Sequence, residues 1–153
     1  MIKKTTLAAC AALLAVSFSA PAAFADDDGE IKYRKSVMKS VGGHMGGIVG
    51  ILKKSTGNSA NLQLHTDGML ALSGITASLF PEGSDFGDTT VLPVVWEKTA
   101  EFAKAVKQFQ DAAAVMAVAG KSGDMAQVGA ALKPLGESCK NCHENFREKK
   151  EKK

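Results

Sequence analysis

Apolar side chains recur at spacings of three and four residues through four stretches of the chain, and no stretch alternates with a period of two over the length of a strand. Spacing of this kind places the apolar positions on one stripe of an α-helix. Four such helices with short connections predict an all-α protein, folded as an antiparallel four-helix bundle. The stripes span residues 31–52, 62–79, 95–116 and 125–146, with connections near 54–58, 81–92 and 120–123.

Several residues mark where these helices begin and end. Asn58 or Ser59 is expected to cap the second helix, because a short polar side chain can accept a hydrogen bond from the first free backbone N–H groups. Gly120 is expected to end the third helix. Ser122 or Asp124 is expected to cap the fourth.

Two features strain the helical pattern. Pro134 interrupts the fourth helix and predicts a kink there, because proline has no backbone N–H. The first helix contains a run of glycines, each costing up to about 1 kcal/mol relative to alanine. Small residues allow the close approach of another helix or of a flat cofactor, and the sequence leaves both interpretations open. The glycines are Gly42, Gly43, Gly46, Gly47 and Gly50.

The N-terminus has the layout of a secretory signal peptide. Lys3 and Lys4 precede an apolar segment at residues 7–16, and Ala23-Phe24-Ala25 forms a small-x-small cleavage site. The apolar segment is shorter than the roughly 18 residues that span a bilayer. We therefore expect residues 1–25 to be removed, leaving a periplasmic chain of residues 26–153 without a membrane anchor.

Processing also changes the charge and the cysteine content. Loss of Lys3 and Lys4 lowers the formal net charge from +3 to +1, so the mature chain has no basic field to attract nucleic acid. Loss of Cys10 leaves two cysteines in an oxidising compartment.

These two cysteines belong to the segment Cys139-Lys140-Asn141-Cys142-His143, which has the C-x-x-C-H pattern of a c-type haem attachment site. Residues three apart on a helix share a face, so both sulfurs can reach the two vinyl groups on one edge of a porphyrin. The adjacent His143 is then the protein ligand of the iron. The motif predicts one covalent haem c per chain, inside the bundle.

Three other interpretations of the cysteine pair fit the sequence less well than haem attachment. A thioredoxin-like redox pair opens a helix next to a sheet, and this chain predicts no sheet. A structural zinc site needs a fourth ligand, and nothing in the spacing of His44 or His65 requires either one to supply it. A plain disulfide leaves His143 unexplained.

Taken together, these segments resemble a class II cytochrome c of the cytochrome c′ family. Residues 139–147, Cys-Lys-Asn-Cys-His-Glu-Asn-Phe-Arg, are similar to the family's C-terminal C-x-x-C-H-x-x-[FY]-R. Residues 33–38, Tyr-Arg-Lys-Ser-Val-Met, resemble its first-helix opening, and Asp88-Thr89 through Pro93 and Trp96 resemble its loop into the third helix. The resemblance implies a homodimer that exchanges electrons with periplasmic redox partners or binds nitric oxide or carbon monoxide.

The resemblance also implies further residues near the haem. Arg147 is four residues after His143, which on a continuous helix puts both side chains on one face and would flank the proximal ligand. Four residues carried over by position are expected near the haem edge or its propionates, namely Arg34, Lys35, Asp88 and Thr89.

Met38 decides between two kinds of iron site. It lies one turn after Arg34 on the stripe of the first helix. In the high-spin members of the family this position is an apolar plug and the iron is five-coordinate, whereas in low-spin relatives a methionine is the sixth ligand, which suits electron transfer. The Tyr33-Arg34 opening favours the five-coordinate form, with Met38 ligation as the alternative.

An enzyme that consumes nitric oxide or peroxide is a further alternative, and it requires acid–base groups on the distal side. The first helix offers mainly glycine and methionine there, so we expect no catalytic residues and no enzymatic turnover.

Other conspicuous residues have structural interpretations. His44 is expected to be exposed, His65 to be partly buried, and Trp96 to pack under the preceding loop. Core packing is expected of Met45, Met69, Met116 and Met125.

Overall fold

Helices make up nearly all of the regular structure in the computed structural model, which describes residues 27–149. The predicted signal peptide, residues 1–25, lies outside them. The helices are α1 (Asp27–Leu52), α2 (Leu62–Gly74), the one-turn α3 (Val94–Glu97), α4 (Thr99–Ser122) and α5 (Met125–Phe146), with 3₁₀ turns at Ser59–Asn61 and Ala77–Leu79. Residues 27–149 contain no β-strand, only a single antiparallel bridge between Val91 and Arg147. The predicted four-helix bundle is confirmed, with α3 as an added turn.

The four long helices pack around a main apolar cluster. Helix α4 lies against both α2 and α5, and α1 lies against α2. No helix among the described residues combines the length and the apolar character needed to cross a membrane. Truncating a fully buried side chain of such a core costs about 2–5 kcal/mol. The buried members are Ile48, Ile51, Leu62, Met69, Phe109, Ala112, Ala113, Met116, Ala119, Val128, Ala131 and Leu135.

Three of the four methionines expected in the core are there. Met69 and Met116 are fully buried, and Met45 is partly buried against the main cluster. Met125 is 36% exposed, so its placement in the core was wrong. It is the first residue of α5, directly after the short join from α4.

The join between α4 and α5 differs in part from the expected one. Helix α4 continues past Gly120 and ends at Ser122, and Gly123 takes the left-handed conformation (φ 70°) that commonly terminates a helix. Asp124 caps α5 as predicted, its side chain accepting hydrogen bonds from Ala126 N at 2.8 Å and Gln127 N at 3.4 Å. Gly120 is instead a buried interior residue.

The start of α2 and the middle of α5 also differ from the sequence pattern. A 3₁₀ turn at Ser59–Asn61 precedes α2, so the residue before the helix is Asn61, and the cap predicted at Asn58 or Ser59 was wrong. Helix α5 runs through Pro134 without ending.

A second, smaller apolar cluster lies where α4 and the end of α5 meet the loop before α3. It contains Phe102 and Phe146, whose rings meet edge to face with centroids 5.3 Å apart, and Phe80 contacts Phe102 in the same way at 4.8 Å. Trp96 donates its indole N–H to the carbonyl oxygens of Phe80 and Pro81 at 3.2 and 3.1 Å. Its predicted packing against the preceding loop is confirmed.

We expect Gly120→Ala to lower the free energy of unfolding by about 1–3 kcal/mol, as overpacking does. A methyl group at Gly120 in α4 would overlap the side chain of Thr66, which is fully buried on α2. The matched control is Gly136→Ala on α5, where the added methyl meets no atom within 4 Å and should stabilise the helix by up to about 1 kcal/mol. Urea unfolding of both variants checks this, and a Gly120→Ala protein as stable as wild type would contradict it.

Candidate haem-attachment site

The two cysteines of the C-terminal motif lie on α5 at the border between the two apolar clusters. Cys139 packs against the main cluster, and Cys142, one turn later, packs against the smaller one. Both thiols are partly buried, and no disulfide joins them. Because residues three apart share a helix face, the border between the clusters is the place that both sulfurs reach.

Two cavities occupy this border, with volumes of about 80 and 40 Å³. They share four lining residues, so they form one seam: Met38 from α1, Thr76 after α2, and Cys142 and His143 from α5. Both are small beside ordinary ligand pockets of roughly 300–1,000 Å³. Seating a flat ring here therefore requires the shared side chains to move aside.

Burial sets the chemistry of the thiols. It raises the pKa of Cys142 to about 11, with the neighbouring Cys139 adding to the shift and the charge of Arg147 opposing it. Burial also raises the pKa of Cys139. Redox-active C-x-x-C pairs have a lowered cysteine pKa, so these thiols do not have the character of a thioredoxin-like site.

Two effects favour the neutral form of His143. Partial burial lowers its pKa, and the positive charge of Arg147 lowers it further. Neutral imidazole is the form that ligates a metal. Part of the ring is exposed to solvent while the side chain also lines both cavities.

Arg147 reaches the same cavity by a different route from the one predicted. Helix α5 ends at Phe146, and Arg147 is extended (φ −134°, ψ 143°), so the helix-face argument from His143 does not apply. The chain is instead held beside the loop before α3: Leu92 N donates to Phe146 O at 3.0 Å, and Glu148 N donates to Thr90 O at 2.8 Å.

Arg147 also has a buried donor without an acceptor. Its Nε makes no hydrogen bond and is buried beside the cavity that His143 lines. A buried unpaired donor is costly unless an acceptor arrives. Two thiols on one helix face, a neutral imidazole and this donor fit a covalently attached group that carries acidic substituents, such as haem.

Arg34 forms the wall of the larger cavity and is 2% exposed. Its Nη1 donates to Leu79 O at 3.1 Å and to Ser84 Oγ at 2.7 Å, and its Nη2 donates to Ser84 O at 2.7 Å and to Thr89 Oγ1 at 3.1 Å. The guanidinium lies 5.2 Å from the centre of the Phe80 ring. Burial lowers the pKa of Arg34, partly offset by Glu30.

Lys35 and Asp88, which the family resemblance places near the haem, pair with each other at the surface. Lys35 Nζ donates to Asp88 Oδ2 at 2.5 Å and to Asp88 O at 3.2 Å. This hydrogen bond and the charge of Lys35 lower the pKa of Asp88. Thus α1 contacts residues 79–89 through Arg34 and Lys35, and Thr89 serves as an acceptor for Arg34 rather than as a cavity-lining residue.

Sequence reasoning missed several residues of the site, among them Thr76, Phe80 and Ser84, and misplaced His44. Phe80 lines the larger cavity, and its only signal was an aromatic residue directly before Pro81. Ser84 is the main partner of Arg34 and had no signal. His44 was expected to be exposed, but it is partly buried against His65, so the prediction was wrong. His65 is partly buried as predicted. Among residues 27–149 no group of three or more His, Cys, Asp or Glu side chains is placed to hold a metal ion.

Comparison with known proteins gives consistent matches. A family profile described as Cytochrome C′ matches residues 29–147. Cytochrome c′ of Pararhodospirillum photometricum is 37% identical over 125 residues, covering 81% of this chain and 100% of that protein. Cytochrome c prime of Shewanella frigidimarina superposes with a TM-score of 0.76 at 33% identity, covering 82% of this chain and 99% of the other. A ferrous variant of the Alcaligenes xylosoxidans protein with bound NO has a TM-score of 0.76 at 27% identity, covering 83% and 99%.

We expect Arg34→Met to lower the free energy of unfolding by about 1–3 kcal/mol, because it leaves the buried acceptors at Leu79 and Ser84 without donors. The control is Lys35→Ala, which removes an exposed pair with Asp88 and should have little measurable effect. Denaturation at low and high salt checks both. The Arg34 effect should persist at high salt, since its acceptors are uncharged. A larger loss for Lys35→Ala than for Arg34→Met would contradict the assignment.

Proposed function

The chain belongs to the cytochrome c′ family, whose members carry covalently attached haem c, and on this premise we propose that it is a periplasmic monohaem cytochrome that binds small gases such as nitric oxide and transfers electrons. The observation that carries the proposal is the position of Cys139 and Cys142, one in each apolar cluster, on the face of α5 that lines the seam.

We assign haem attachment to the Cys139 and Cys142 thiols and iron ligation to His143. When bound, the haem supplies an iron that takes up a diatomic gas or one electron. The neutral imidazole of His143 is available as a ligand without first losing a proton, because burial and Arg147 lower its pKa. The Arg147 Nε and the surrounding apolar wall favour an acidic substituent next to Arg147 and exclude water elsewhere.

Met38 faces His143 across the seam, since both side chains line both cavities. We propose that its side chain excludes a sixth protein ligand and leaves the iron five-coordinate. Thr76 lines the same cavities. Its hydroxyl donates a hydrogen bond to Leu72 O at 3.1 Å, so its proton is already used within the protein. A thioether is nevertheless a competent ligand, so Met38 ligation in a low-spin electron carrier is the second candidate.

The residues that line the two cavities also favour the binding of a gas over its enzymatic consumption. The ionisable ones are Arg34, Arg147, His143 and the two cysteines, with no carboxylate among them. The guanidinium of Arg34 already donates hydrogen bonds to four oxygens of residues 79–89. A peroxide- or nitric-oxide-consuming enzyme needs a free acid–base group at this place. Homodimer formation, the redox partners and removal of residues 1–25 stay predictions from the sequence.

We expect the purified protein to have the mass of residues 26–153 plus one haem. Replacing Cys139 and Cys142 together with alanine should leave no haem on the protein after extraction with acidified acetone, because both thioether bonds are then absent. Ser138→Ala, next to the motif, is the control and should retain covalent haem. Covalent haem that survives in the double variant would contradict the attachment site.

We expect the ferric protein and its Met38→Ala variant both to have high-spin spectra. Carbon monoxide and nitric oxide should bind faster to the variant in stopped-flow mixing, because the seam loses the side chain that fills it. Met45→Ala is the control, since Met45 lies on the same helix but packs against the main cluster. A methionine-to-iron charge-transfer band that disappears only in Met38→Ala would establish the six-coordinate alternative.

A further inference from the structure

A pair of histidines bridges α1 and α2 away from the thiols of the haem site. The two side chains lie next to each other although 21 positions separate them in the sequence: Nδ1 of His44 is 3.3 Å from Nδ1 of His65, and the rings meet at 70° with centroids 5.5 Å apart. Both are partly buried, so one side of the pair is reachable from solvent. Nothing in the proposed haem function uses them.

The backbone around the pair is shaped to hold both rings. Each ring lies over a glycine of the opposite helix: a Cβ at Gly47 of α1 would be 2.6 Å from His65 Cε1, and a Cβ at Gly68 of α2 would overlap the His44 ring. The same spacing, His-x-x-Gly, occurs at 44–47 and at 65–68. An ordinary side chain at either glycine would displace the ring above it, so these two glycines determine where the nitrogens meet.

The separation of the nitrogens matches the bite of a tetrahedral zinc ion. Zinc–imidazole bonds are about 2.0–2.1 Å, which at the tetrahedral angle places two nitrogens about 3.3–3.4 Å apart. A square-planar ion with bonds of that length would require about 2.9 Å. In the metal-free pair the two Nδ1 atoms, 3.3 Å apart, already lie at about the spacing that a tetrahedral ion needs.

We propose that His44 and His65 form a two-histidine site for Zn²⁺ that links α1 to α2, with water in the remaining positions. Without metal, one ring donates its Nδ1–H to Nδ1 of the other. Coordination requires both Nδ1 atoms to be free of protons, so the proton between the rings moves through solvent to Nε2 of the ring that carries it.

Two protein ligands give a weaker and more exchangeable site than the four of a structural zinc centre. Binding stabilises the folded bundle by mass action, because the pair comes together only when α1 and α2 are packed. The link also lies on the helix that carries Met38, less than two turns from it.

The test uses the haem-loaded protein, stripped of adventitious metal and dialysed to equilibrium against Zn²⁺ in a buffer that does not chelate. Wild type should bind one zinc per chain. His44→Ala and His65→Ala should each weaken the affinity about a hundredfold, because a single imidazole loses the chelate advantage. Asp67→Ala is the matched control: it removes an exposed carboxylate two residues from His65 and should leave zinc binding unchanged.

Zinc X-ray absorption of the wild-type protein provides a second measurement that needs no variant. It should report two imidazoles per zinc, and zinc should raise the melting temperature of wild type but not of the His44→Ala/His65→Ala double variant. The proposal is overturned by zinc binding of equal affinity in wild type and in either histidine variant. It is equally overturned by no zinc binding to wild type, which would leave the pair a plain hydrogen bond.

Discussion

Helix α5 packs against two apolar clusters and at their border brings two thiols and an imidazole to one seam, and the rest of the site is built around this constraint. Cys139 and Cys142 satisfy it by sitting at the border of two clusters, each thiol packed against a different one. A single uninterrupted core would have filled the space between them. The seam lined by Met38 and Thr76 lies at this interruption.

The second requirement is a wall for the larger cavity of the seam, and a buried cation provides it. Arg34 is 2% exposed and donates to four oxygens of residues 79–89. Burying a guanidinium is expensive unless its donors are satisfied. Satisfying them fixes the loop against α1. Two backbone hydrogen bonds, from Leu92 N to Phe146 O and from Glu148 N to Thr90 O, then hold residues 146–148 against the same loop.

The sequence predicted features that depend on the local pattern of residues. It missed features that depend on contacts between segments far apart in the chain. Apolar spacing identified the four long helices, and the polarity of Asp124 identified a cap that the structure contains. The pattern predicts a helix end at Gly120, because no local signal separates a terminating glycine from one that makes room for Thr66 of a neighbouring helix. The nearness of Arg147 to His143 was predicted from helix geometry, but it arises from pairing with the loop, which only the tertiary structure reveals.

Helix α1 shows how packing and function share one element. Its buried side chains lie towards its two ends, at Ile31, Arg34 and Val37 and again at Ile48 and Ile51, and none of residues 38–47 is fully buried. Glycine costs a helix up to about 1 kcal/mol per residue, so propensity does not hold this middle segment together. Contacts with other elements do so: Met38 and Val41 line the seam, Val41 and Met45 pack against the main cluster, and His44 contacts His65 on α2. The segment of α1 that lines the seam therefore also makes the α1–α2 contact, so packing and the site depend on the same residues of this helix.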